Sequence, residues 1–390
     1  MKKFLCLLFF CLTALSFSLS VAEEEELSFD ALIEATPAPQ VQETVTNEDG
    51  TVSTLAPDAT LPPQLEADGS VMVTITAVGD VTIGRNVQHN GTSIFEKELK
   101  KQGGDINFIF RNVKDIFEDD HLTIANFEGV LADEYKIPSN KRENSYLFLA
   151  PTSYVEALTN NSVEAVTMEN NHVGDFGEDG IASTIKTMED AGIVWSNKEN
   201  IGVYEVQGLK IAMLSYQTLN QPFTSEELKD IVDGDVKKAR QQYDLVIVSF
   251  HWGDELDYAP KSNQIMLGRA AIDSGADLVL GHHSHRINPI ECYKGKYIVY
   301  SLANCSFAGN NKPSDMFTFI FQTRFKVLND EIISNTFRII PCRISSRKDY
   351  NDFAITPLVE QSNISTVLTT LEKNGRKLDY AVSDYPLDWE

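Results

Sequence analysis

Three of the seven histidines in this 390-residue chain fall within five positions, Gly281-His282-His283-Ser284-His285. The run from Ala276 to Leu280, apolar except for Asp277, comes just before them, so the cluster falls where a buried strand ends. In extended backbone, residues i and i+2 project to one side, which would aim His283 and His285 at one place. Neutral imidazole is the commonest protein metal ligand. Taken alone, the stretch fits a metal site and a polar, histidine-rich loop equally well.

Other chemistry-bearing side chains recur at expected strand ends: Asp80, Asn126, Glu128, Asn171, His172 and His251. Together with His283 and His285 they form a mixed oxygen and nitrogen donor set, which suits Zn, Mn, Fe or Mg better than a thiolate site would. A bridging carboxylate could hold two such divalent ions roughly 3.5–4 Å apart, clamping a phosphate oxygen and lowering the pKa of bound water. Each residue also has an ordinary reading. Asp80 could be a turn residue, Glu128 a helix cap, Asn171 a partner for loop backbone, and His251 a satisfied core histidine. His282 reads as a bystander, and His89 and His121, outside any motif, read as structural.

The elements that must position these residues can be read from pattern. Residues 71–78 form a strand that Gly79-Asp80 ends. Residues 121–125 and 162–167 are further strands, and 180–191 is a helix with Ile181, Ile185 and Met188 on one face. Residues 202–206 and 209–215 form a hairpin around Gln207-Gly208. A polar helix at 225–242, a buried strand at 244–250 and a helix at 262–274 stopped by Gly275 follow. Strands flank Lys294-Gly295-Lys296, two more run over 316–327 and 336–344, and 357–373 contains a helix. The last residues read as frayed. Strands alternate with helices up to about Ile287 and then dominate, which implies a layered α/β domain with helices packed outside the sheets.

The formal net charge of −24 argues against nucleic acid or an anionic membrane surface as a partner. Half of that charge lies between Glu23 and Ser70, a segment without Lys or Arg. Residues 1–22 read as an export signal, with Lys2-Lys3, an uncharged run and small residues up to Ala22, either cleaved there or retained as an anchor. Residues 23–70 read as a disordered acidic linker, too poor in apolar surface to offset ordering entropy. Of the later cysteines, Cys292, Cys305 and Cys342, one pair could bridge, with Cys292 joined to Cys305 or to Cys342.

The motifs Ala77-Val78-Gly79-Asp80, Ala125-Asn126-Phe127-Glu128-Gly129, Glu169-Asn170-Asn171-His172-Val173-Gly174-Asp175, Ser249-Phe250-His251-Trp252-Gly253 and Gly281-His282-His283-Ser284-His285 occur in this order. With the following stretch from Ile298 to Asn304, the chain resembles the CapA family of bacterial poly-γ-glutamate capsule synthesis proteins, within the calcineurin-like metallophosphoesterase superfamily. The resemblance spans about residues 71–308 and implies a four-layer α/β/β/α sandwich of two mixed sheets, with 309–390 completing the domain. It implies that Asp80 binds a first ion, that Glu128 bridges, and that Asn171, His251 and His283 bind a second. His285 would return to the first ion. His172 would face the substrate and protonate the leaving oxygen, with Asp175 orienting it. Two departures thin the first ion's shell: Thr82 stands where the superfamily usually has histidine, and Glu128 replaces an aspartate. Asn304 stays a further site candidate.

Three functions follow from these readings. One is an exported, metal-dependent hydrolase of a phosphoester in a cell-envelope polymer or a small phosphorylated substrate. Another is an accessory of a membrane-bound machinery that makes a poly-γ-glutamate-type capsule. The third is a surface binding module whose metal is structural.

Overall fold

The computed structural model describes residues 64–88, 93–141, 145–219 and 221–389, and the backbone of Thr44–Thr46 and Val52–Thr54. The leader at 1–22 and His89 lie outside the described residues. Of the stretch read as a disordered linker, residues 23–43, 47–51 and 55–63 also lie outside the described residues, and Thr44–Thr46 and Val52–Thr54 pair as antiparallel strands. Among the described residues, no helix is long and apolar enough to cross a membrane.

Two mixed sheets form the body. Sheet I is built from β1 (Val71–Thr82), β2 (Leu122–Phe127), β3 (Ala165–Thr167) and β4 (Val194–Ser196), all parallel. Sheet II contains β5 (Gly202–Val206), β6 (Leu209–Gln217), β7 (Leu245–His251), β8 (Leu278–His282), β9 (Ile290–Tyr293) and β10 (Lys296–Val299), in the order β5-β6-β7-β8-β10-β9. The chain then returns to sheet I with β11 (Asn304–Phe307), β12 (Phe317–Leu328), β13 (Glu331–Arg343) and the short β14 (Thr356–Pro357), giving β14-β13-β12-β1-β2-β3-β4 with β11 also on β1.

Strand alternation produces the layers. In β7, Leu245 and Ile247 join the core between the sheets, while Val246, Val248 and Phe250 face outward. Outside sheet II pack α3 (Ser225–Ala239) and α4 (Ser262–Ser274), through Val232, Val236, Leu267 and Ala271. Outside sheet I, Val78, Val81, Ala125 and Val166 meet Met188 of α2 (Gly177–Asp190) and a phenylalanine-rich layer behind α1 (Ile94–Lys101). The result is the four-layer α/β/β/α order. A fifth helix, α5 (Gln361–Gly375), inserts Val367 and Leu371 at the side of the inter-sheet core.

Several expectations need correction. The strand predicted to stop at Gly79-Asp80 runs on to Thr82. It changes partner midway, pairing with β12 up to Ala77 and with β11 from Asp80. The Ala303 carbonyl enters at the changeover and accepts the Asp80 N–H at 2.9 Å. A Cβ on Gly79 would lie 2.0 Å from that oxygen, and one on Gly281 would lie 2.1 Å from the Tyr300 carbonyl. In α2 the buried line is Gly180, Thr184, Thr187 and Met188, because Gly180 sits where a Cβ would press Phe176 and Val130; Ile181 and Ile185 are only partly covered. The chain end is packed, not frayed. Tyr385 is buried, the Trp389 ring lies under Arg324 and Arg338, and the Pro386 carbonyl accepts the Ile339 N–H. Cys292, Cys305 and Cys342 are all free thiols, so neither expected bridge forms.

The close approaches at two glycines generate a test. Gly79→Ala and Gly281→Ala should each cost about 3 kcal/mol, since neither backbone carbonyl can yield. Gly234→Ala, on the open face of α3 with nothing within 4 Å, should stabilise by ~0.5–1 kcal/mol. Urea midpoints of the three variants check both signs.

Candidate metal centre between the two sheets

The parity that buries Leu245 and Ile247 turns His251, the last residue of β7, toward sheet I. The same alternation in β8 turns Leu278, Leu280 and then His282 inward, and the strand register pairs His251 with His282. In sheet I the register aligns Asn304, Asp80, Asn126, Thr167 and Ser196 across five strands. Two polar rows therefore face each other where the apolar core ends. They touch: Asn126 Nδ2 lies 3.3 Å from His251 Nδ1, Ser249 donates to Thr167 at 3.3 Å, and the Ser196 and Ser215 hydroxyls are 2.5 Å apart.

His283 and His285 arrive by a different route from the one predicted. The strand ends at His282, and both residues have positive φ, 90° and 53°. Two left-handed residues, not extended alternation, bring these rings to the site, with centroids 6.0 Å apart. Such backbone is costly for residues other than glycine and clusters at functional sites.

Asp80 is fully buried and uses its two oxygens differently. Oδ1 accepts from Asn126 Nδ2 at 2.8 Å and lies 3.4 Å from His282 Nδ1. Oδ2 accepts the His283 N–H at 3.3 Å and lies 3.3 Å from His285 Nδ1. Asn304 Oδ1 is 2.8 Å from the same His285 nitrogen. Glu128 accepts from Thr82 Oγ1 at 3.2 Å through Oε2, so Thr82 meets the carboxylate itself. Glu128 Oε1 is buried without a hydrogen-bond partner, 3.6 Å from His251 Nε2 and 3.9 Å from His172 Nε2. His251 Nε2 also lies 2.7 Å from Asn171 Oδ1 and 3.1 Å from His283 Nδ1.

His172 stands at the mouth. Its Nδ1 meets Asp175 Oδ2 at 2.8 Å, leaving Nε2 on the Glu128 side. Asp175 also takes the Phe148 N–H at 2.9 Å and Lys141 Nζ at 3.2 Å. Phe148 packs edge-on against the His172 ring and Phe307 lies over His285, so aromatic walls flank the two rings.

Charge is divided unequally. Burial acts to raise the Asp80 carboxyl, but the His282 and His285 imidazoles beside it outweigh that and hold the group well below the usual carboxylate range. Burial and the nearby Asp80 charge push Glu128 up to about 7. Burial disfavours the charged form of His285, yet the Asp80 bond and the two carboxylates carry it up to about 9. Burial and the His285 charge bring His283 down to about 4, and burial with His283 lowers His251 well below its ordinary value. His172 resists its own burial through the Asp175 bond and the Glu128 charge, and is raised.

Among the described residues, two groups could hold a metal ion: Glu128 with His251 and His283, and Asp80 with Glu128 and His285. Glu128 belongs to both. The donor set is oxygen and imidazole, and the unpaired Glu128 Oε1 is an atom that a cation would satisfy. The structure thus gathers Asp80, Glu128, Asn171, His172, Asp175, His251, His283 and His285 into one place. His121 lies apart and accepts the Thr74 N–H at 3.2 Å. His282, read as a bystander, lies 3.4 Å from Asp80, and Asn126, named among the strand-end residues without a specific role, donates to Asp80. The parity of β8 beyond Leu278 and Leu280 was the available signal for His282.

Comparison with known proteins agrees with the motif order. Residues 74–308 match the family described as bacterial capsule synthesis protein PGA_cap, and the chain belongs to that family. The capsule biosynthesis protein CapA of Bacillus anthracis is 29% identical over 255 residues, 60% of this chain and 60% of that protein. The PGA biosynthesis protein CapA of Bacillus subtilis is 28% identical over 262 residues, covering 63% of this chain and 66% of the relative. The chain therefore matches under two thirds of either relative's length. Among solved structures, a novel phosphatase of Mycoplasma pneumoniae is similar at 15% identity and a TM-score of 0.44, over 70% of this chain and 94% of that one.

Asp175 holds three donors at once, which fixes an expected outcome. Asp175→Ala should cost about 2–3 kcal/mol, because the Phe148 N–H and the His172 ring lose a buried acceptor. Lys141→Ala should cost only ~0–1 kcal/mol, since that side chain is partly in water. Chemical denaturation of both variants distinguishes the two.

Proposed function

We propose that this protein acts in the synthesis of a capsule polymer of the poly-γ-glutamate type, as an exported hydrolase of phosphoester bonds that depends on a divalent metal. The observation that carries the reading is Glu128, shared by two groups of buried potential ligands, with an unpaired oxygen beside His172. The likeness to a capsule biosynthesis protein and a PGA biosynthesis protein of two Bacillus species supports the polymer assignment. The basic, then uncharged, N-terminal segment supports export to the cell surface.

Asp80 and His285 would hold one ion, Asn171, His251 and His283 another, with Glu128 between them. Such ions, of Mn, Zn, Fe or Mg, supply Lewis-acid polarisation of a phosphoryl oxygen. The remaining work falls to the chain. Asp175 fixes the His172 ring through Nδ1, so that Nε2 faces the site and can carry a proton to the leaving oxygen. The raised affinity of His172 for its proton suits that role. Phe148 and Phe307 limit water around the two imidazoles.

A second reading, an accessory without turnover, draws on Thr82, which puts a hydroxyl against Glu128 where the superfamily usually offers an imidazole. Activity on a generic phosphodiester with added Mn²⁺ separates them. His172→Ala should lower kcat by about 10²–10⁴-fold if His172 is the general acid; equal rates in both proteins would sink the hydrolase reading. Cation affinity should also depend on pH. Glu128 and His285, raised to about 7 and about 9, must lose their protons to act as ligands. Affinity should therefore rise with pH from about 6 to about 9, with proton release measurable by calorimetry in buffers of differing ionisation enthalpy.

A further inference from the structure

His282 is the buried side chain that the proposed chemistry leaves without work. It is 1% exposed, and neither ring nitrogen has a hydrogen-bond partner. A buried imidazole with both nitrogens unpaired is costly, and in a native structure it calls for a reason. Its surroundings supply one. Strand parity turns the ring from β8 toward sheet I, and Nδ1 comes within 3.4 Å of Asp80 Oδ1.

The other oxygen, Oδ2, is the one near His285, and it also accepts the His283 N–H at 3.3 Å. The atoms that could hold an ion with Asp80 come from Glu128 and His285, and His285 meets Oδ2. Oδ1 accepts from Asn126 Nδ2 at 2.8 Å and has His282 Nδ1 at 3.4 Å. Asn126 cannot rotate freely, because its own carbonyl oxygen accepts from Asn170 Nδ2 at 3.3 Å. Asn126 comes from sheet I and His282 from sheet II, so Oδ1 is met from both sheets. A carboxylate held at one oxygen presents the other in a fixed direction, and such outer partners tune ligand orientation and affinity.

We infer that His282 is a positioning residue: it donates Nδ1–H to Asp80 Oδ1 and, with Asn126, aims Oδ2 at a divalent cation. This rests on the metal-site reading above.

The test titrates the metal-free full chain with Mn²⁺, by calorimetry and by the Mn²⁺ electron paramagnetic resonance signal. It compares wild type, His282→Leu and His282→Asn. Leucine keeps bulk and removes the donor, whereas the asparagine amide places a donor near the position of Nδ1. His282→Leu should weaken binding by about 10–100-fold, and His282→Asn should recover most of the loss. Unchanged affinity in His282→Leu would overturn the inference while leaving the metal site intact, and so would equal weakness in both variants when circular dichroism shows both folded. If His282→Leu does not fold, His282→Gln replaces it, with its donor displaced toward Nε2, and affinity equal to that of His282→Asn overturns the role. Wild type that takes up no Mn²⁺ overturns the metal reading and this inference together.

Discussion

A carboxylate without access to water sits between two β-sheets, and the rest of the molecule is arranged around that fact. An isolated buried charge is prohibitive unless it is paired and hydrogen-bonded. Asp80 meets the condition from both sheets: Asn126 of sheet I and the His283 amide donate to it, and the His285 and His282 rings past and at the end of β8 lie 3.3 and 3.4 Å away. The sandwich must therefore be closed and in register for this group to be tolerated. The two glycines that admit the Ala303 and Tyr300 carbonyls belong to the same requirement. They let the strand carrying Asp80 and the strand carrying the histidines lie against the segment 300–304, which links one sheet to the other.

Electrostatic asymmetry within a small volume gives the centre its chemical character. Two carboxylates share one site and their proton affinities separate, Asp80 held low and Glu128 held high. The imidazoles divide in the same way, with His285 drawn up by the carboxylates and His283 and His251 pushed down by burial and by one another. Pairs of groups driven apart by their environment mark acid and base assignments in many sites. His172 stands outside this pairing, tied to Asp175 on one side and open to Glu128 on the other.

Much of this was legible in the chain itself. Residue types that bind cations recur where apolar runs end, and those positions converge. The hairpin around Gln207-Gly208 and the helix stopped by Gly275 also follow from turn chemistry, with φ of 55°, 76° and 120° at those residues. What was not legible depends on partners far away in sequence. Asp80 looks like a turn residue after Gly79, because nothing local announces that a carbonyl from residue 303 will extend the strand past it. His283 and His285 look like alternating strand residues until positive φ is imposed by the segment they join. The chain end looks polar and loose, and its order comes from Tyr385 and Trp389 finding distant arginines and strands. His282 read as a bystander because its neighbour His283 supplied a simpler explanation for the motif, while strand parity turns it inward and buries it.

The path of the chain through the two sheets bears on how the centre comes into being. Sheet II is drawn from one stretch, 202–299, with neighbours mostly consecutive. Sheet I opens with β1 and must wait for β12, about 240 residues later, to cover that strand's free side. Contacts of such separation are expensive in loop entropy and slow to form. Asp80 and Glu128 come from the segment of sheet I, and the four inward histidines from sheet II and the turn that leaves it. The centre is thus a seam: these two carboxylates and four imidazoles are carried by different sheets, and neither sheet alone holds both.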